Sequence, residues 1–292
     1  MSFATTPFKI TDGRRFKLAD HPTELQERIG KEKLKELLAE DRERIIALQE
    51  LLYAEDRRSL LLIFQAMDAA GKDSAIDHVL SGVNPQGCSV TAFKQPTSEE
   101  LQHDFLWRHA KAAPARGMIG VHNRSHYEEV LVVKVHPEYL LGQRLPDVGE
   151  PKDATAAFWE KRYDAIRAWE EHLATSGTVI MKFFLHMGKK EQRKRFLERI
   201  EDPKKNWKFS VGDVKEREHF DAYMNAYEEA IRATAAPHAP WFVVPADEQW
   251  ETRAIVGDLV REQLASMDPK VPELSAKAQA ELKEARELLG AE

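Results

Sequence analysis

Five short apolar runs, separated by stretches of helix-forming composition, constrain this chain more than any other feature. They are SLLLIF from Ser59, CSVTAF from Cys88, GMIGVH from Gly117, TVIMKFFLH from Thr178 and PWFVVPA from Pro240. Nearly continuous apolar runs of this length read as strands buried on both faces, and helices between them imply a parallel sheet. The segment TELQERIGKEKLKELLAEDRERIIALQELLYAE precedes the first run, and its Leu34, Leu37, Leu38, Ile45, Leu48 and Leu52 recur at near-helical spacing among charges. A long amphipathic helix is expected there. The fold class is therefore α/β, with functional residues expected at the carboxyl ends of the strands.

The first run leads directly into QAMDAAGKDS, Gln65 to Ser74. A phosphate-cradling loop follows a buried strand, turns through small residues and delivers a lysine at a helix start. Here Ala66, Ala69, Ala70 and Gly71 are the small residues and Lys72 the cation, with Asp73 and Ser74 opening the helix. Against the pattern G-x-x-x-x-G-K-[ST], Ala66 replaces the first glycine and Asp73 the hydroxyl residue, so an ordinary strand-to-helix turn is the competing reading. Asp68 favours the phosphate loop in a particular way. A carboxylate beside a polyphosphate repels it unless a divalent cation lies between them, and magnesium is held by one or two carboxylates together with phosphate oxygens and water. A second constellation, Asn123, Arg124, Ser125, Tyr127, Glu128 and Glu129, follows the third run, where an arginine and acids can clamp a phosphoryl group and its metal. A solvated helix start with acids favouring the dipole is the alternative.

Charge is segregated. The whole chain carries a formal net charge of −6, which offers no general attraction to nucleic acid, so an anion site must be local. Residues 189–208, KKEQRKRFLERIEDPKKNWK, hold nine basic side chains against four acidic ones. The single cysteine, Cys88, excludes an intramolecular disulfide and reads as a packing residue. No run approaches the roughly 18 apolar residues of a membrane span and the amino terminus lacks a signal-peptide core, so a cytoplasmic protein is expected.

The blocks LLIFQAMDAAGKDSAIDHVLSGVNPQG, FKQPTSEELQHDFLWRHAKAAPARG, NRSHYEEVLVVKVHPEYL and KKEQRKRFLERIEDPKKNWKFS closely resemble, in order, those of the polyphosphate kinase 2 family. The resemblance runs from about Leu51 to about Trp250. It implies a P-loop kinase-like fold similar to thymidylate kinases, with a helical lid at about residues 188–212. It also implies magnesium-dependent phosphoryl transfer between inorganic polyphosphate and a purine nucleotide, with manganese as a substitute ion.

By the same resemblance Asp68 serves the metal, Lys72 the transferring phosphate and Arg124 the clamp, with Glu128 beside them. Arg193, Arg195, Arg199, Lys205 and Lys208 would hold polyphosphate. Many relatives read N-R-S-x-Y-E-D, so Glu129 stands where they have aspartate and is expected as a second metal ligand. Ala69, Ala70, Gly71, Asp73, Ser74 and Asn123 are expected to contact phosphate or nucleotide. For Lys94, Arg108 and Arg116, near predicted strand ends, such contact competes with simple solvation. The run VHPEYL and the insertion after it resemble members that phosphorylate nucleoside diphosphates, ADP or GDP, rather than AMP alone.

Other readings compete. An ATP-dependent nucleotide kinase has less use for Asp68 and the basic lid, and a polyanion binder has no use for Asp68 and Glu129. His122 and His126 lack a third ligand at zinc spacing. The tryptophans read as packing anchors, with Trp207 in the lid as a possible exception. The expected layout is an arm at 1–22, a catalytic domain at 23–267 and a helix-prone tail at 268–292, in a homo-oligomer (dimer or tetramer) with no nucleic-acid or membrane partner.

Overall fold

The five runs are adjacent strands of one sheet. In a computed structural model, which describes residues 3, 7–204, 206 and 209–290, the strands are β1 (Lys9–Ile10), β2 (Ser59–Ala66), β3 (Cys88–Ala92), β4 (Ile119–Asn123), β5 (Thr178–His186) and β6 (Trp241–Pro245). Their order is β1-β6-β5-β2-β4-β3. Pairings among β2 to β6 are parallel, as expected, while β1 pairs antiparallel with β6. The sheet is thus mixed at one edge, because the amino-terminal arm adds a strand to it.

The helices are α1 (Lys31–Glu55), α2 (Lys72–Val79), α3 (Trp107–Lys111), α4 (Val132–Val135), α5 (Ala156–Thr175), α6 (Lys189–Glu201), α7 (Val211–Glu216), α8 (Phe220–Thr234), α9 (Gln249–Met267) and α10 (Ala276–Gly290). Helix α1 buries Leu34, Leu37, Leu38, Ile45 and Leu52, the stripe read from the sequence. It begins at Lys31 rather than near Thr23. Gly30 is its cap, and the preceding strap is held by other bonds: Thr23 Oγ1 donates to Asp247 Oδ2 at 2.6 Å, and Asp247 N–H donates to Thr23 O. Helix α10 has no buried residue. No helix among the described residues is long and apolar enough to cross a membrane.

Strand β2 is buried along all but its last residue. The rings of Phe64, Phe183 and Phe242, on the adjacent strands β2, β5 and β6, stack at centroid separations of 4.8 and 5.4 Å. After β2 the chain crosses toward the β3 edge, and after β4 it crosses back to β5 on the other side. The carboxyl ends of β2 and β4 therefore flank a topological switch point, where α/β sheets open a crevice for ligand.

Three histidines lie buried near this crevice: His109 on α3, His122 on β4 and His126 in the turn after β4. All are fully inaccessible, and each Nδ1 lacks a hydrogen-bond partner. Burial pushes all three below the usual 6.5, His122 down to about 4. The folded protein holds them neutral while the unfolded chain protonates them below about pH 6.5. Stability is therefore present above that pH and is lost as pH falls through it, by up to about 1.4 kcal/mol per histidine per pH unit. The thermal midpoint should fall steeply from pH 7 to pH 5; a flat profile over that range would contradict a neutral histidine cluster.

Candidate active site

The loop between β2 and α2 turns sharply. Ala69 has φ +68° and Gly71, the cap of α2, has φ +99°. The second is a region that glycine enters without a Cβ clash, whereas the left-handed alanine is held at a cost of order 1 kcal/mol. Ala70 N–H closes the turn on Met67 O at 3.2 Å. Lys72 is 8% exposed and its Nζ donates to Ala66 O at 2.8 Å. Burial pulls its ammonium below the usual range, opposed by the nearby charge of Asp68.

The turn after β4 supplies the facing groups. Arg124, also left-handed at φ +61°, donates its N–H to Phe64 O at 3.0 Å and its Nη2 to Asp68 Oδ1 at 3.1 Å. Gln65 Nε2 donates to Glu128 Oε1 at 3.0 Å. Burial pushes the Glu128 carboxyl up, partly offset by Arg124 and Lys72. Asn123 Nδ2 donates to Asp73 Oδ1 at 2.8 Å, tying the end of β4 to the start of α2. The structure thus brings Asp68, Lys72, Asp73, Asn123, Arg124 and Glu128 to one crevice.

A buried polar network underpins this turn. Ser125 Oγ accepts from Tyr127 N–H at 3.2 Å. Tyr127, fully buried between Arg124 and Glu128 in sequence, donates its hydroxyl to Glu170 Oε1 at 2.8 Å, and Lys182 donates to Glu170 Oε2 at 2.6 Å. His126 Nε2 lies 3.3 Å from Glu170 Oε1. An ion pair with no exposure gains little net stability over apolar packing, so its effect is chiefly to fix the turn in one position.

Helix α6 carries the basic segment, but its residues do different things. Arg193 is exposed and Arg199 partly so, the latter 4.0 Å from Asp213 Oδ2 on α7. Partial burial, then the charge of Asp68, raises the Asp213 carboxyl. Arg195 corrects the sequence reading. Its Nη1 donates to Ala69 O and Ala70 O, both at 3.1 Å, and its Nη2 donates to Ala246 O at 2.7 Å and Asp247 O at 2.9 Å. Nε completes the set on Glu191 at 3.0 Å, so the five donors of this guanidinium are engaged and none is left for polyphosphate. Gln192 Nε2 adds a bond to Asp68 O at 3.2 Å. Lys205, Trp207 and Lys208 lie outside the described residues.

Three further expectations are placed differently. Arg116 lies at the amino end of β4, where Gly117 N–H bonds to Arg58 O; the length of β2, eight residues or about 26 Å, separates that end from the phosphate loop. Glu129 is not beside Asp68. In the 3-10 turn His126–Val130 consecutive side chains diverge by about 120°, so Glu128 faces the crevice while Glu129 is bound by Arg162 and Gln143. The Ser74 hydroxyl is occupied by Arg253 Nη2 at 2.7 Å. Arg108 donates to Lys94 O at 2.8 Å after β3, while the Lys94 side chain is exposed. His122 Nε2 meets Ala112 O at 3.2 Å, so the two histidines weighed for zinc face different partners.

The residues fit a divalent cation of the magnesium kind. Among the described residues no three His, Cys, Asp or Glu side chains form a cage, so a cation would be shared with substrate phosphate and water, as magnesium usually is. The side-chain Oε1 atoms of Gln65 and Gln192 are buried without donors, and their amide nitrogens hold Glu128 and Asp68. Ordered water on a cation at Asp68 would satisfy such acceptors.

A buried lysine behind a phosphate loop, faced across a switch point by an arginine, is the apparatus of the phosphate-loop phosphotransferases. The sequence profile of the polyphosphate kinase 2 family matches residues 28–272, and the chain belongs to that family. It is 49% identical over 290 residues to an ADP-polyphosphate phosphotransferase of Rhodopseudomonas palustris, covering 99% of each chain. It is 44% identical over 244 residues to an AMP/ADP-polyphosphate phosphotransferase of Meiothermus ruber, covering 84% of this chain and 86% of that one. The crystal structure of polyphosphate kinase 2 from Arthrobacter aurescens TC1 matches with a TM-score of 0.84 at 41% identity over 95% of both chains.

Proposed function

We propose that the chain catalyses reversible phosphoryl transfer between inorganic polyphosphate and a purine nucleoside diphosphate, ADP or GDP, giving the triphosphate. The observation that carries this reading is the placement of Asp68, Lys72, Arg124 and Glu128 at one crevice beneath a basic helix. The terminal phosphate of a diphosphate is already an oxyanion, so no side chain need remove a proton. Positioning and charge neutralisation then supply most of the acceleration. Asp68 is the residue to hold magnesium, or manganese in its place, and the cation would screen phosphate oxygens from that carboxylate. Lys72 is placed for the transferring phosphate and Arg124 for the clamp. Arg193 and Arg199, with Lys205 and Lys208, are the residues for the polyphosphate chain. A plain polyanion binder is disfavoured, since Asp68 and Glu128 would oppose its ligand. A homo-oligomer, dimer or tetramer, and a cytoplasmic location belong to the same proposal.

The acceptor is the finer question. Diphosphate and monophosphate acceptors differ by one phosphoryl unit, so a base pocket spaced for ADP leaves AMP short of in-line attack, and modest misplacement is costly to rate. The relative named for both AMP and ADP keeps the monophosphate as a second reading. Initial rates with saturating polyphosphate and equal concentrations of ADP, GDP and AMP decide it. ADP and GDP should be the faster acceptors; AMP outpacing ADP would reverse the acceptor assignment and leave polyphosphate as donor.

A further inference from the structure

Tyrosines buried in a protein usually find a partner for the hydroxyl. Here Tyr127 donates to Glu170 Oε1 at 2.8 Å, Tyr223 donates to Glu216 Oε1 at 2.5 Å, and Tyr163 accepts from Lys134 Nζ at 3.1 Å. Tyr227 is the exception among the described buried tyrosines. It is 3% exposed, its hydroxyl makes no hydrogen bond within the protein, and that oxygen is not one of the sealed polar atoms of the interior. The small part of the residue that meets solvent therefore includes the hydroxyl.

Packing fixes the ring beside the crevice. Tyr227 lies on the buried stripe of α8 with Ala230, Ile231 and Thr234. Thr234 Oγ1 accepts from Tyr127 at 3.0 Å, and Lys134 of α4 donates to Glu229, so the helix is tied to the segment that carries Arg124 and Glu128. The Tyr227 ring stacks on Phe184 of β5 at a centroid separation of 4.0 Å. Phe184 is paired in register with Gln65 of β2, and partners in a parallel ladder project from the same face of the sheet. Gln65 is the residue whose amide holds Glu128, at 3.0 Å. Tyr227 is thus packed one strand away from the support of the crevice carboxylate, near the carboxyl ends of β2 and β5. Burial raises its phenol well above the usual value, and Glu128 and then Asp68 push in the same direction against Arg124. At any working pH it is a neutral O–H, a donor that adds no negative charge to the crevice.

Charge on a transferring phosphoryl group is spread over three oxygens, and a fixed, desolvated donor aimed at one of them stabilises the transition state. We infer that Tyr227 is a further catalytic residue, its hydroxyl donating to an oxygen of the transferring phosphoryl group alongside Lys72 and Arg124. This role rests on the phosphotransfer reading above.

Tyr227→Phe in the full-length protein deletes the hydroxyl and keeps the stack on Phe184. Its kcat should fall by about tenfold or more, the effect of losing a hydrogen bond to a charged group. KM for ADP and for polyphosphate should stay near the wild-type values, as for a contact made in the transition state. The thermal midpoint should hold, because the hydroxyl has no protein partner to lose. Binding of aluminium fluoride with ADP and magnesium, a mimic of the transferring phosphoryl group, should weaken by a similar factor in calorimetry. A merely structural tyrosine would leave kcat and the fluoride complex unchanged, and that result overturns the proposal. So does a lowered midpoint that accompanies the lost turnover, or a raised KM for ADP with kcat intact. Should the wild-type protein fail to use polyphosphate, the donor assignment falls instead, and the fluoride complex still decides the role of the hydroxyl.

Discussion

Asp68→Asn is expected to lower phosphoryl transfer by at least about a hundredfold at ordinary magnesium concentrations, in keeping with the loss of electrostatic stabilisation at a transferring phosphate. Asparagine keeps the shape of the side chain and can still accept from Arg124 Nη2, so the fold and the loop should persist. What should disappear is the charge proposed to draw a divalent cation to the loop. The variant should therefore also bind Mn2+ more weakly in the presence of tripolyphosphate, a reading independent of turnover. Near wild-type turnover would show that the cation is held elsewhere, and Asp68 would then be only a partner for Arg124.

The second large effect is expected at Arg195, and it differs in kind from that of the exposed basic residues. Arg195→Met removes the partner of four backbone carbonyls in buried surroundings: Ala69, Ala70, Ala246 and Asp247. Leaving such acceptors without donors costs about 1–3 kcal/mol each when water cannot replace the lost bond, so a loss of at least about 3 kcal/mol is expected overall. The thermal midpoint should fall by roughly 5–10 °C. The left-handed Ala69 loses its brace, so turnover should fall with both substrates. Arg193→Ala and Arg199→Ala should instead keep the thermal midpoint and weaken polyphosphate more than ADP, an effect that added salt reproduces. If Arg195→Met behaves like Arg193→Ala, the side chain is a phosphate ligand after all and its carbonyl bonds are dispensable.

That contrast also marks where the sequence stops being informative. The strands, the long amphipathic helix and the phosphate loop are local patterns, and each is found close to where periodicity puts it. Helix α1 starts later than the sequence pattern suggests because the strap before it is held by Asp247 and Glu251, residues more than two hundred positions away. The same limit applies to the basic segment. Counting charges assigns Arg195 to a polyanion, whereas its spatial neighbours are carbonyls of two loops. Adjacent Glu128 and Glu129 look interchangeable in sequence, but the 3-10 turn gives them different partners, Gln65 for the first and Arg162 with Gln143 for the second. Lys182 is the only charged residue until the terminal histidine within the apolar strand TVIMKFFLH, and a lysine there announces a buried partner, which is Glu170.

Phosphorus NMR of purified protein with long-chain polyphosphate and ADP, recorded with magnesium and again after chelation, tests whether one crevice moves phosphoryl groups from polyphosphate to a nucleoside diphosphate with the help of a divalent cation. ATP signals should grow as polyphosphate is consumed, and chelation should stop the exchange. Transfer that persists without a divalent cation, or that requires ATP in place of polyphosphate as donor, would overturn the proposed function.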